Sequence, residues 1–220
     1  MIINEIFYSL QGEGLLAGTP SIFIRLAGCP LRCKWCDTKY AWDASAGQDF
    51  TVSQILNQIK KYSCNFVVVT GGEPMINSDL PELVKKLKAI KKHITIETAG
   101  IAFVPDLPCD FVSISPKLSN SSGKDAVRCY FNAAVIRELI DNYDYQLKFV
   151  VDSPDDLDEI LWTVYRIGNI RREKVLLMPQ AATRDEFLSK APMVADLCKQ
   201  TGFSFGNRLQ ILLWNNQRGF

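Results

Sequence analysis

Short apolar runs alternate along this chain with longer stretches of helical periodicity. Residues 21–27 (SIFIRLA), 65–70 (NFVVVT), 93–97 (HITIE), 110–115 (DFVSIS), 145–151 (YQLKFVV), 174–178 (KVLLM) and 208–214 (RLQILLW) are brief and mostly continuous in apolar character. Strands buried on both faces of a parallel sheet read this way. Helical spacing falls between them. Residues 53–62 repeat Ile55, Leu56 and Ile59; residues 79–91 open with Asp79 as an N-cap and Pro81 in the first turn, then repeat Leu83, Leu87 and Ile90. Residues 132–143, 153–166 and 183–201 continue the pattern, the last with Gly202 as its C-cap.

This alternation predicts an α/β fold with a mostly parallel sheet and helical crossovers. Six or seven strands fall short of the eight that close a barrel, so an incomplete, TIM-like β/α barrel is expected, with a doubly wound sheet as its competitor. The polar signals sit where strands end. Cys29 follows the first, Thr70-Gly71-Gly72-Glu73-Pro74 the second and Glu97-Thr98 the third; Ser115-Pro116-Lys117 and Pro179-Gln180 follow later ones. In β/α barrels those ends share one face, where the site forms.

At 220 residues the chain is expected to be one domain. Its 25 Lys and Arg nearly cancel 24 Asp and Glu, which leaves no broad field for nucleic acid or an anionic membrane. No run approaches the roughly 20 apolar residues of a membrane span, and Met1-Ile2-Ile3-Asn4-Glu5 lacks a leader pattern. A cytoplasmic location is expected, where seven cysteines point to metal ligation rather than to disulfides.

Three of those cysteines, Cys29, Cys33 and Cys36, form C-x3-C-x2-C in a loop directly after a strand. Three thiolates on a cubane cluster leave one iron without a protein ligand, free to be chelated by an amino-acid group. The rival is a structural zinc knuckle, which needs a fourth ligand from His93 or from Cys64, Cys109, Cys129 or Cys198; zinc sites usually pair two short arms, and no second arm exists here. Those four cysteines read as buried small hydrophobes, and His93 as a surface turn residue.

The cysteine motif, with Trp35 before its last member, resembles the radical S-adenosylmethionine superfamily, and Thr70 to Pro74 resembles that superfamily's GGEP turn. The narrower resemblance is to the 7-carboxy-7-deazaguanine synthase family. It is carried by Glu5 to Gly14 (EIFYSLQGEG), Phe23 to Cys29, Trp35 to Thr38, Thr70 to Pro74, Glu97-Thr98, Ser115 to Lys117 and Pro179-Gln180, in family order.

The resemblance implies one radical S-adenosylmethionine domain over residues 1–220, with about residues 1–20 as a substrate-binding extension. It implies a carbon–nitrogen lyase that converts 6-carboxy-5,6,7,8-tetrahydropterin into 7-carboxy-7-deazaguanine with loss of ammonia, on the way to queuosine or related deazapurines. A [4Fe–4S] cluster on Cys29, Cys33 and Cys36, S-adenosylmethionine and Mg2+ on Thr38 come with it, as do a homodimer and a reducing protein such as flavodoxin or ferredoxin. Trp35, Cys36, Asp37, Gly72, Glu73, Ser115, Pro116, Lys117 and Gln180 would hold the cofactor. Leu10, Gln11, Gly12, Arg25, Thr70 and Phe220 would meet the substrate.

Several of these residues have plainer readings. Arg25 inside an apolar strand suits a substrate carboxylate or an ion pair with Glu5 or Glu13. Asp37 reads also as a helix cap, the QGEG block as a turn, and Glu97 as a partner for a neighbouring strand's cation. Lys148 is given no role. Residues 119–131 are expected to form a variable loop. Two rival functions remain: an activase for a glycyl-radical enzyme, which the QGEG block and Arg25 disfavour, and a non-enzymatic metal-binding module.

Overall fold

The computed structural model describes residues 1–122, 131–215 and 217–219; Cys129, Phe220 and most of the segment 119–131 lie outside them. Nine strands form one sheet: β1 (Ile2–Leu10), β2 (Pro20–Leu26), β3 (Gln48–Asp49), β4 (Phe66–Gly71), β5 (His93–Thr98), β6 (Phe111–Ile114), β7 (Tyr145–Val151), β8 (Val175–Pro179) and β9 (Ser204–Phe205). Their spatial order is β3-β1-β2-β4-β5-β6-β7-β8-β9. From β2 to β9 every neighbouring pair is parallel, while β1 and β3 add antiparallel strands at one side.

A doubly wound sheet reverses its strand order at a switch point. Here the order rises steadily from β4 to β9, so the sheet winds one way, as in a barrel, and β3 and β9 remain as separate edges. The expected open, incomplete barrel is what forms.

Two of the longer elements depart from the sequence expectation, and the two-residue strands β3 and β9 are additions to it. Ile2–Leu10 carries no strand prediction, because its apolar residues do not alternate cleanly, yet it pairs with β2 over most of its length. Residues 208–214, expected as a strand, instead form a short helix, Leu209–Trp214. Four successive apolar residues satisfy either geometry. The helix wins because Arg208 and Ile211, three apart, are buried while Leu213 is exposed, and Asn215 ends it in the left-handed region.

The crossover helices α1 (Val52–Ile59), α2 (Leu80–Ala89), α4 (Ala133–Asn142), α5 (Asp156–Ile167) and α6 (Arg184–Thr201) fall close to expectation, while a single helical turn, α3 (Ser119–Ser122), stands where a loop is expected and α7 is the C-terminal Leu209–Trp214. Thr183 and Glu186 close a capping box on α6, and Gly202 ends it at φ 72°. Asp79 holds the cap position of α2 without capping; its carboxylate pairs instead with the Met1 ammonium at 3.1 Å. Val67, Val69, Ile94, Ile96, Ile114, Leu147 and Leu177 fill the core against Leu83, Leu87 and Ile160. No helix among the described residues is long and apolar enough to cross a membrane.

Candidate active site

The carboxyl ends of the parallel strands open on a cavity of about 290 Å³. Cys29, Cys33 and Cys36 all line it. Their loop is fixed by backbone bonds: Gly28 N–H donates to Ala41 O and Cys29 N–H to Trp42 O, both at 2.9 Å, and Cys36 N–H turns back to Cys33 O at 3.2 Å. The Thr38 hydroxyl lies 3.4 Å from Cys36 Sγ. Burial, foremost, raises the pKa of the Cys29 and Cys33 thiols.

The turn after β4 packs directly on this loop. Gly72 N–H donates to Leu26 O at 2.8 Å and Glu73 N–H to Gly28 O at 3.1 Å. A Cβ on Gly72 would lie 1.7 Å from Gly28 O, and Gly71 sits at φ +100°, so both positions require glycine. Gly71 and Gly72 line the cavity. The Glu73 side chain is buried and accepts from Thr98 Oγ1 at 2.7 Å, Ala99 N–H at 2.8 Å and Met75 N–H at 3.1 Å. Its carboxylate therefore fixes the turn, and burial raises its pKa despite those donors.

The opposite wall is a polar network. Glu97 accepts from the Thr70 hydroxyl at 2.7 Å and from Gln11 Nε2 at 3.1 Å. Lys148, 4% exposed, donates to Glu13 Oε2 at 2.8 Å and stands 3.9 Å from Glu97. Glu13 also accepts from Arg208 Nε at 3.2 Å and Gln210 Nε2 at 2.8 Å, and Arg208 reaches Asp37 at 2.9 Å. Burial would raise the Glu13 pKa, but Lys148 and Arg208 outweigh it and hold it well below the usual carboxylate range. Burial would lower that of Lys148, but Glu13 and then Glu97 raise it.

At the mouth, Arg25 donates through Nε to Glu5 Oε1 at 2.7 Å, and the Tyr40 hydroxyl donates to the same oxygen at 2.9 Å. Arg218 reaches Glu5 Oε2 at 3.1 Å with its guanidinium 4.2 Å from the Tyr40 ring centre.

Leu10, Gln11, Gly12, Arg25, Trp35, Asp37, Thr38, Thr70, Ser115, Pro116 and Lys117 all line the cavity with the cysteines. Gln180 does not; its Oε1 accepts from Lys190 at 2.6 Å. Phe220 lies outside the described residues, although Gln217, Arg218 and Gly219 line the cavity. Glu13, Lys148, Arg208 and Gln210 are site residues that sequence reasoning left without a role. His93 is half-buried at the start of β5 against Phe66, not a surface turn residue.

Among the described residues no three His, Cys, Asp or Glu side chains converge as ligands of one metal ion. Zinc draws its ligands onto one centre, whereas a cubane spreads three thiolates over three irons. Cys64, Cys109 and Cys198 are free thiols that do not line the cavity, so none is placed to supply a fourth ligand. The donor set fits a cluster with one open iron.

The radical SAM superfamily pattern matches residues 23–128, which hold the cysteine loop, the glycine turn and Ser115 to Lys117. A 7-carboxy-7-deazaguanine synthase of Halobacterium salinarum is 39% identical over 97% of this chain and 90% of its own length. Another, of Pyrobaculum aerophilum, is 40% identical over 99% of this chain and 96% of its own. The crystal structure of QueE from Escherichia coli matches with a TM-score of 0.71 at 29% identity, covering 93% of this chain and 92% of that one. A [4Fe–4S] cluster and S-adenosylmethionine are the cofactors of the superfamily matched. The chain belongs to the 7-carboxy-7-deazaguanine synthase family of radical SAM enzymes.

Proposed function

We propose that this chain is a 7-carboxy-7-deazaguanine synthase, a carbon–nitrogen lyase that contracts 6-carboxy-5,6,7,8-tetrahydropterin to 7-carboxy-7-deazaguanine in deazapurine synthesis. The observation that carries the reading is that the three thiols and the polar wall of Gln11, Arg25, Thr70, Glu97 and Lys148 share one cavity. Removing one ammonia from the tetrahydropterin gives the product without a net oxidant. When bound on Cys29, Cys33 and Cys36, the cluster supplies the electron that cleaves S-adenosylmethionine to the radical that starts the reaction.

The remaining work falls to side chains. Gly71 and Gly72 let the backbone approach the cofactor closely, with Glu73 bracing the turn. Trp35, Cys36, Asp37 and Ser115 to Lys117 flank the cofactor, and Gln180 is assigned to it by the resemblance alone. Glu5 holds Arg25 through Nε, which orients the guanidinium so that its other N–H groups can meet the substrate carboxylate. Leu10, Gln11, Gly12 and Thr70 face the pterin edge, and Phe220 is assigned to the substrate by the resemblance alone. Thr38 offers a hard oxygen for Mg2+. Residues 1–20 act as the substrate-binding extension of a single domain, and a flavodoxin or ferredoxin delivers the electron.

Anaerobic reconstitution followed by reduction in the presence of S-adenosylmethionine and the tetrahydropterin tests this reading. About four irons and four sulfides per chain are expected, with the deazaguanine and ammonia formed in equal amounts. A glycyl radical on a partner protein without deazaguanine would point to an activase. One zinc per chain and no cluster would end the enzyme reading.

A further inference from the structure

The mouth of the cavity sets two guanidiniums against one carboxylate. Arg25 of β2 and Arg218, beyond α7, each donate through Nε to Glu5, the first to Oε1 at 2.7 Å and the second to Oε2 at 3.1 Å. Tyr40 touches all three. Its hydroxyl donates to Glu5 Oε1 at 2.9 Å, and its ring centre is 6.0 Å from the guanidinium carbon of Arg25 and 4.2 Å from that of Arg218. Burial, foremost, pushes its phenol up to about 12, so it stays neutral. Asp37, whose field also reaches Arg25, is itself paired with Arg208 at 2.9 Å. The group at the mouth therefore carries one uncompensated positive charge.

It also carries uncommitted donors. Both arginines line the cavity. Among the described residues neither η nitrogen of Arg25 donates to protein, although that side chain is only 14% exposed. Arg218 gives Nη2 to Asn4 Oδ1 at 3.1 Å and keeps Nη1. Paired guanidinium N–H groups with charge to spare suit a planar anion such as a carboxylate. The far wall does not, since Glu13, Glu97 and Asp37 outnumber Lys148 and Arg208 there. An acid entering the cavity is drawn to the mouth. The turn after α7 is what brings Arg218 to this place: Asn215 ends the helix in the left-handed region and Gln217 N–H donates to Trp214 O at 3.1 Å, so that Arg218 meets Asn4 and Glu5 of β1.

We propose that Arg218 is a second substrate-binding residue, which with Arg25 holds the carboxylate of the pterin acid at the cavity mouth; this rests on the synthase reading above. Glu5 does not compete with the substrate, because it takes the Nε atoms and leaves the η nitrogens. Arg218, 55% exposed, is more strongly screened by water than Arg25 and adds the smaller share of the attraction. Its effect is selectivity for the acid over neutral pterins.

Equilibrium binding to the cluster-loaded chain under anaerobic conditions tests this, with the cluster left oxidised so that nothing turns over, and with S-adenosylmethionine and Mg2+ held constant. The ligands are 6-carboxy-5,6,7,8-tetrahydropterin and its neutral 6-carboxamide. Arg218→Ala should weaken the acid about tenfold and the amide less than about twofold. Arg218→Lys keeps the charge without the fork and should recover part of the loss for the acid. The affinity for S-adenosylmethionine alone should be the same in all three proteins, which separates the substrate's carboxylate from the cofactor's. Equal weakening of acid and amide would mean that Arg218 only pins residues 217–219 to β1, and a loss confined to S-adenosylmethionine would move its role to the cofactor; either overturns the proposal. A wild type that binds neither pterin overturns the synthase reading and this proposal with it. A wild type that binds the acid, with Arg218→Ala binding it as well, overturns this proposal alone.

Discussion

Lys148 carries its ammonium into the barrel between Glu13 and Glu97, where it is 4% exposed. Desolvating such a group is costly, and breaking a buried ion pair by deleting one partner is expected to cost about 3–5 kcal/mol. Lys148→Met should lower the urea stability by that order, and the double variant Glu13→Gln/Lys148→Met should recover part of it. If the two losses simply add, the pair is not coupled. The chemistry of Cys29, Cys33 and Cys36 was legible because it lies within eight residues; that of Lys148 was not, because its partner Glu13 is 135 positions away. Alternation along β7 puts Gln146 and Lys148 on one face, but a single strand does not reveal which face looks into the cavity. Tyr40 makes a second prediction at this scale. Burial, with the Glu5 carboxylate it donates to, pushes its phenol up to about 12. A group whose folded pKa is raised contributes stability that is complete below its unfolded value, near 10, and is lost as pH rises through the folded one. Wild type should therefore lose more stability than Tyr40→Phe between about pH 10 and 12, by about 1 kcal/mol once partial exposure is discounted. Parallel curves for the two proteins would refute the assignment.

Among elements, the cysteine loop and the glycine turn behave as one unit because their backbones touch. An added Cβ at Gly72 meets Gly28 O at 1.7 Å and Gly28 C at 2.4 Å, backbone atoms that no rotamer change can move aside. Gly72→Ala is expected to displace the loop, so that iron bound after reconstitution falls well below about four per chain. Gly202→Ala serves as the control: Gly202 is left-handed, at φ +72°, but nothing lies within 4 Å of its Cβ position. It should cost about 1 kcal/mol of stability and leave the iron content unchanged. Full iron loading in the Gly72 variant would show that the turn does not hold the loop. Elements of this kind were readable where local rules act alone. The capping box at Thr183 and Glu186 and the left-handed stop at Gly202 fix α6 from its own residues. Strand β1 and helix α7 were not, since each takes its form from pairing with distant chain: β1 lies between β2 and β3, and α7 packs on the loop after β1.

At the scale of the whole molecule, an open barrel leaves a gap between its first and last strands. The two ends of the chain bridge it. The Glu13 and Arg208 backbones form an isolated antiparallel bridge, and Leu209 N–H donates to Gly12 O at 2.9 Å. Arg208 then ties Glu13, Asp37 and the Ala181 carbonyl together from a site 6% exposed. The residues lining one side of the cavity thus depend on a seam whose halves are nearly 200 positions apart. Arg208→Gln should loosen both halves together, because Glu13 loses one of its two cations while Lys148 stays in place. Hydrogen exchange followed by mass spectrometry should show faster exchange at Gln11, Gly18 and Leu209, whose amides bond across or beside the seam. Amides of β5 and β6 lie in the sheet centre and open only with global unfolding, so their exchange should change only by the loss of overall stability. If exchange rises equally everywhere, Arg208 stabilises the fold at large rather than closing the barrel. If it rises at Leu209 but not at Gln11, the C-terminal helix is held by Arg208 while the loop after β1 is held by Glu97 and Lys148 alone.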